Sequence, residues 1–401
     1  MFSSFSIRDF RIYWIGMFVS MCGTWIQVMA QSWLVFELSR SSFLLGLVGF
    51  LSSLPVFLFS LFSGVLVDRI NKKILLIFAQ VVAMLLAFLL AVFTQLNIVT
   101  VNFILLIAIL NGMVLSLDAP ARQAIVVELV GKKNILNGIA LTSIGFHAAR
   151  MLGPALAGIF IATISIAGCF YINAISFLAF IVALLMIKPQ SPRRNNSDLR
   201  FMDDLKGGIN FIRHNRIYLI LISIVAVVSL FGLSYMILLP VFAKEVLNLD
   251  AKGFGLLMSF SGLGSLLAGL ALAGLKDSHK KIQFMIFALY LLTFGLVFLA
   301  VSDSFIVSAV ILVLIGFSIL TSSVIINSMI QTMVPDEFRG RMMSIYVLTF
   351  AGTAPFGSII AGSLAQMSGV RIALGTIGFI CFVLFLLLTP LLKTAKASLS
   401  S

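Results

Sequence analysis

Twelve stretches of this chain are both apolar enough and long enough to cross a bilayer, and no other feature restricts the fold as much. A helix needs about 20 such residues to span the hydrocarbon core. The runs lie near residues 12–36, 43–67, 74–95, 100–118, 135–163 and 168–187, then near 217–243, 253–275, 282–300, 305–330, 342–365 and 372–392. They are too long for barrel strands and show no two-residue alternation, which leaves helices. With 61% of its residues hydrophobic and 10% charged, the chain reads as an all-α membrane protein that crosses many times. The first run is too long for the apolar core of a secretory signal, so it is expected to stay as an uncleaved span.

The charges sit between the runs and orient them. One set of loops holds Arg8 and Arg11; Arg69, Lys72 and Lys73; Arg122, Lys132 and Lys133; the basic residues of 188–216; Lys276, Lys280 and Lys281; Arg339 and Arg341; and Lys393 and Lys396. The alternate loops hold Arg40, Lys244, Lys252 and Arg371. The excess of Lys and Arg marks the first set as cytoplasmic. Both termini then face the cytoplasm, which agrees with an even number of spans. The net charge of +13 belongs to these loops and does not imply a nucleic-acid partner. Cys22, Cys169 and Cys381 fall inside apolar runs. Neither a disulfide framework nor a metal site is expected from them, and no cofactor is implied.

The chain divides into a six-span half (1–190), a polar linker (191–216) and a second six-span half (217–401). In the linker Phe201, Leu205, Ile209 and Ile212 recur at helical spacing among charges, which predicts a short helix on the membrane surface. The halves also resemble each other. At an offset of 204 residues, Gly153 falls over Gly357, Ala157 over Ala361 and Gly158 over Gly362. Such a six-plus-six repeat is a transporter architecture.

After the second run the sequence reads GVLVDRINKK, residues 64–73. Gly64 lets helices approach closely. Asp68 and Arg69 lie at the membrane surface, and Lys72 and Lys73 open the next helix. This loop resembles the signature of the major facilitator superfamily, keeping Gly64, Asp68, Arg69 and Lys73. It departs at Asn71, where the family usually has Gly, and at Lys72, where it usually has Arg. Asn tolerates a left-handed turn, whereas Lys loses a bidentate fork. The resemblance implies a latch on the cytoplasmic side, with Asp68 facing the start of the eleventh span near Met342. It also implies that Lys72 pairs with Asp118, the acid expected to end span four.

In span five Ala140, Ala149, Gly153, Pro154, Ala157 and Gly158 follow the spacing of a second pattern, which resembles the span-five motif of drug–proton antiporters. Small residues there allow close helix contact, and the proline bends the span. Residues 10–41, 117–130 and 334–346 resemble the branch of the superfamily that contains the bacterial enterobactin exporter. The likeness implies a secondary transporter of the bacterial inner membrane that exports amphipathic small molecules, a drug or a siderophore, by alternating access. It further implies proton antiport, a monomer, and contact with membrane lipids.

Candidates for the pathway are Trp25, Gln27 and Gln31 on span one, Asn111 on span four, His147 and Arg150 on span five, and Ser322, Ser323 and Asn327 on span ten. Each polar residue among them could instead join two helices by a hydrogen bond. Glu37 and His147 are the groups placed to titrate. Arg150 lies about 15 residues into its span, roughly 22 Å deep. Two readings stay open for it: a tie to Gln27, Gln31, Asn111 and backbone near Pro154, or a charge that recognises an anion. The sequence contains no HExxH, no nucleophile elbow and no phosphate loop, so neither an enzyme nor an ATP-driven pump is expected. An importer of the same fold, and a membrane sensor or lipid-handling protein, remain as alternatives.

Overall fold

The computed structural model describes residues 3–188, 207, 210–273 and 278–400. A 3-10 turn at Ser3–Ser6 precedes the first span. Helices α1 (Arg8–Ser39), α2 (Ser42–Arg69), α3 (Lys72–Gln95), α4 (Val101–Gly131), α5 (Lys133–Thr163) and α6 (Ile166–Met186) form the first half. Helices α7 (Arg216–Val246), α8 (Ala251–Ala273), α9 (Ser278–Val301), α10 (Phe305–Met333), α11 (Asp336–Ser368) and α12 (Val370–Ser400) form the second. All twelve are long and apolar enough to cross a membrane. Large apolar side chains such as Phe78, Phe298 and Leu387 stay exposed, which suits a surface solvated by lipid. Most of the linker expected to lie on the membrane surface falls outside the described residues. Residues 210–214, at its end, are helical, and Phe211 stacks on Phe338 at the start of α11.

Short polar residues set the helix starts. The side chains of Ser41, Asn71, Thr100 and Ser165 accept backbone N–H groups in the first turns of α2, α3, α4 and α6. Asn71 has φ −61°, so it serves as a cap and not as the left-handed residue expected in that loop. Glycine is required at Gly131, where φ +67° and ψ 167° break the chain between α4 and α5.

Helix α4 corrects the sequence reading most. Hydropathy ends span four at Asp118 and puts Arg122 in a loop. The helix instead continues to Gly131. At 1.5 Å per residue its 31 residues reach about 46 Å, well beyond a ~30 Å core. Charge hid this extension, and pairing removes its cost. Arg122 Nε lies 2.5 Å from Asp118 Oδ2, one turn earlier on the same helix. Gln80 on α3 donates to Asp118 Oδ1 at 2.6 Å and accepts from Ser20 on α1 at 3.4 Å. The Arg122 guanidinium lies over the Phe180 ring of α6, 4.4 Å from its centroid. Tyr13 donates to the Arg122 carbonyl. Both charged groups are buried.

This network binds α1, α3, α4 and α6 into one body. Arg122→Ala would leave Asp118 buried without its partner, a loss of about 3–5 kcal/mol. The expected result is a clear fall in the detergent melting temperature, and Asp118→Asn in the same background should recover part of it. An unchanged melting temperature in Arg122→Ala would remove the pair from the account of stability.

Candidate translocation pathway

Two seams join the halves, and both are made of small residues. On α5, a Cβ placed on Gly153 would sit 2.5 Å from Trp25 Cβ and 3.0 Å from the Cys22 carbonyl of α1. A Cβ on Gly158 would sit 2.8 Å from Lys252 Cα of α8. Gly255 and Gly262 of α8 in turn abut the backbone of α5 at Pro154 and at Arg150–Met151. The other seam repeats the arrangement. Gly357 of α11 abuts the Leu230 carbonyl of α7, and Gly362 abuts Ser42 and Gly46 of α2. Thus α5 packs on α1 and α8, while α11 packs on α7 and α2, their counterparts in the other half. The repeat seen as a few matched glycines is a repeat of contacts. Ala157 and Ala361, also matched, are both fully buried. Pro154 and Gly158 therefore belong to the seam between halves, whereas Gly153, against α1, and Ala157, whose carbonyl meets Cys169 of α6, pack within the first half.

Arg150 lies beside this seam, facing the axis between the halves. Its guanidinium stands over the Trp25 ring of α1, 5.5 Å from the centroid, and its Nη2 is 3.4 Å from Met236 Sδ of α7. It does not reach Gln27, Gln31 or Asn111. Gln27 is buried on the opposite face of α1, where it accepts from Asn173 of α6 at 2.6 Å. Gln31, one turn on, shares that face with Leu34 and Leu38. These two leucines line an open pocket of about 550 Å³ at the end of the first half away from the chain termini, with Thr94, Asn97 and Ser165. A helical wheel separates residues 27 and 31 from 25, 29 and 33 by roughly half a circle, so the Gln pair cannot flank Trp25 as expected.

His147, one turn from Arg150, has a buried Nδ1 without a hydrogen-bond partner. Asn111 is half-buried on α4, beside Gly112, which abuts the Ser52 carbonyl and Pro55 of α2. On α10 the hydroxyls of Ser322 and Ser323 donate to the Ser318 and Ile319 carbonyls at 2.8 Å, and Asn327 accepts from Gln331 at 2.6 Å. The two serines are satisfied within α10, while Asn327 also hydrogen-bonds Tyr346 of α11. The sequence reading missed Met236 and the irregularity that presents it. Helix α7 takes a π-type turn at Val228–Gly232 and then tightens at residues 233–234, where Ser234 N–H bonds the Phe231 carbonyl, just before Tyr235 and Met236.

At the end away from the chain termini the bundle is closed by side chains from both halves. Trp33 of α1 stacks on Phe254 of α8, with ring centroids 5.7 Å apart. Lys244 of α7 lies over the same indole and 4.0 Å from Glu37. Ser41 donates to Gln366 of α11 at 2.9 Å. At the opposite end the expected latch is only partly visible. Gly64 and Asp68 are on the last turns of α2, but their surroundings fall outside the described residues. Arg69 ends α2 and is exposed. Lys72 pairs with Glu128 at 3.1 Å, not with Asp118. Asp118 is ten residues earlier on α4, about 15 Å deeper along the helix, and Arg122 already holds it. Lys73 donates to the Leu185 and Ile187 carbonyls at 3.2 and 2.8 Å, closing the end of α6.

A model of the transmembrane secretion effector family matches the whole chain, residues 1–401. The chain belongs to this family of major facilitator transporters. Among its relatives the staphyloferrin A transporter of Staphylococcus aureus is 24% identical over 363 residues, 90% of each chain. The enterobactin exporter of Salmonella typhimurium is 23% identical over 390 residues, 94% of this chain and 91% of that one. Macrolide efflux protein A of Streptococcus pyogenes is 21% identical over 369 residues, 90% of each. The nucleoside transporter NupG superposes with a TM-score of 0.72 at 16% identity, over 96% of this chain and 99% of that one. A bacterial homologue of the lysosomal transporter Spinster gives 0.73 at 11% identity, over 96% and 97%. Both likenesses concern the fold.

In this transporter the seams set a test. Gly158→Val forces a side chain against the α8 backbone, and overpacking of this kind costs about 1–3 kcal/mol. Transport is expected to fall about fivefold or more, since 1.4 kcal/mol is tenfold in an equilibrium, with membrane insertion intact. Gly375→Ala, whose new Cβ meets Ala300 Cβ at an ordinary 3.7 Å, should leave transport unchanged. Equal transport in both variants would mean that the seam does not control the path.

Proposed function

We propose that the protein is a secondary exporter of amphipathic small molecules, a drug or a siderophore, working by alternating access in the bacterial inner membrane. The observation that carries this reading is the paired seam. Two six-helix halves meet along glycine-rich contacts between α5 and α8 and between α11 and α2, which suits rocking of one half against the other. Outward direction is supported by the small-residue motif of α5 and by relatives named as an enterobactin exporter and a macrolide efflux protein. A proton gradient is the proposed energy source. The protein acts as a monomer among lipids, and Asp68 with Arg69 latches the cytoplasmic side.

Efflux decides the direction. Cells lacking the protein should accumulate rhodamine 6G above cells that express it, and collapse of the pH gradient should remove the difference. Greater accumulation in expressing cells would indicate an importer. A difference that survives the collapse would exclude proton coupling.

Orientation needs its own test, because it rests on loop charges. In a variant with Cys22, Cys169 and Cys381 replaced by serine, cysteines at Ser39 and Asn248 should label from outside intact cells. Those at Asn196 and Ser278 should not. External labelling at Asn196 would reverse the assignment.

A further inference from the structure

The chain has two arginines well inside its first half, and they are treated differently. Arg122 is buried, sits 2.5 Å from a carboxylate and lies on a phenyl ring. Arg150 is half-buried and near mid-span, and no carboxylate among the described residues pairs with it. Its contacts are a thioether and an indole face, both weak acceptors beside an anion. Guanidinium cannot shed its proton to escape the cost. Around it are an imidazole nitrogen with no partner, at His147, and the distorted stretch of α7 that ends just before Met236. Irregular helix at membrane depth is tolerated where it lines a cavity, and it often marks a ligand site.

We propose that Arg150 is the anion-recognising group of the pathway, and that molecules carrying a carboxylate or catecholate are among those transported. The planar fork of Arg150 takes two oxygens of that group. Trp25 stacks on the adjacent ring or chain of the ligand, and Met236 swings aside, as its unbranched thioether allows. His147 adds a donor from Nδ1 in the tautomer that carries the proton there. The proposal rests on the export reading in one respect: the space between α1, α5 and α7 is taken as the substrate path.

Binding and transport are measured separately so that the two readings can fail separately. Purified protein in detergent is titrated with 2,3-dihydroxybenzoate and, as a cationic control, rhodamine 6G. Arg150→Gln should weaken the anion at least about tenfold, the scale of a lost charge-assisted hydrogen bond, and should not weaken rhodamine binding, since loss of the positive charge lifts a repulsion on the cation. Arg150→Lys keeps the point charge and should retain much of the anion affinity. Uptake of both probes into inverted vesicles gives the transport arm. Unchanged anion binding in Arg150→Gln would overturn the proposal. So would equal loss of both probes in the Gln and Lys variants with lowered thermal stability, which would make Arg150 a structural tie. Arg150-dependent anion binding without uptake of either probe would leave this proposal standing and sink the export reading. Rhodamine uptake with anion binding indifferent to Arg150 would do the reverse.

Discussion

Close approach of backbones across the two seams is the constraint on which the rest of the structure depends. Lipid gives helices no hydrophobic reason to associate, so contact must come from packing and from weak polar contacts between chains. Gly158, Gly255 and Gly262 in one seam, and Gly46 and Gly362 in the other, remove the side chains that would hold the halves apart, while Gly153 and Gly357 do the same for α5 on α1 and α11 on α7 within each half. Carbonyls then lie against α-carbons, where C–H···O contacts add a little each. The same smoothness keeps the seams from locking. Interdigitated side chains would have to disengage for the halves to move, whereas flat glycine faces can tilt. Cohesion and mobility thus come from one choice of residue.

Within the halves the opposite choice prevails. Charges and amides are buried and engaged with one another, as in Ser20–Gln80–Asp118–Arg122 and in Gln27–Asn173. Replacing such a network by apolar side chains can cost nothing in stability. Its use here is geometric: it fixes α1 against α3, α4 and α6 as one body. Lys72–Glu128 and the Lys73 contacts with the end of α6 extend this rigidity to the surface. The basic residues of the signature loop thereby serve the internal order of the first half as well as any latch across it.

Much of this was legible in the sequence because bilayer thickness imposes a length on every span. Runs of apolar residues gave the number of helices and most of their limits. Matched glycines at an offset of 204 residues gave the symmetry of the seams, since only a glycine marks a backbone contact so plainly. Helix α4 escaped because hydropathy treats a charge as an exit from the membrane, while a paired charge one turn from its partner lets the helix continue. Gln27 and Gln31 were misassigned for a related reason. Their i, i+4 spacing proved that they share a face, but nothing local says which neighbour that face meets. The partner, Asn173, lies 146 residues away. The distortion of α7 had no clear warning either, since π-type turns arise from packing around the helix as much as from Gly232 within it.

Arg150 joins the two regimes. A central arginine costs about 2.5–3.5 kcal/mol on the insertion scale, and a cation–π contact offsets about 0.5–2 kcal/mol of that. Arg122 shows that this chain can supply a carboxylate where a permanent partner is wanted. At Arg150 a permanent carboxylate would compete with every anion that entered, and a ligand able to displace it would then be slow to leave. Weak partners avoid both difficulties. Trp25 and Met236 hold the guanidinium in place between turnovers and yield it without a large penalty. Because Trp25 belongs to one half and Met236 to the other, tilting the halves changes the pair of contacts available to the charge. Occupancy of the site and the angle between the halves are therefore linked through one side chain.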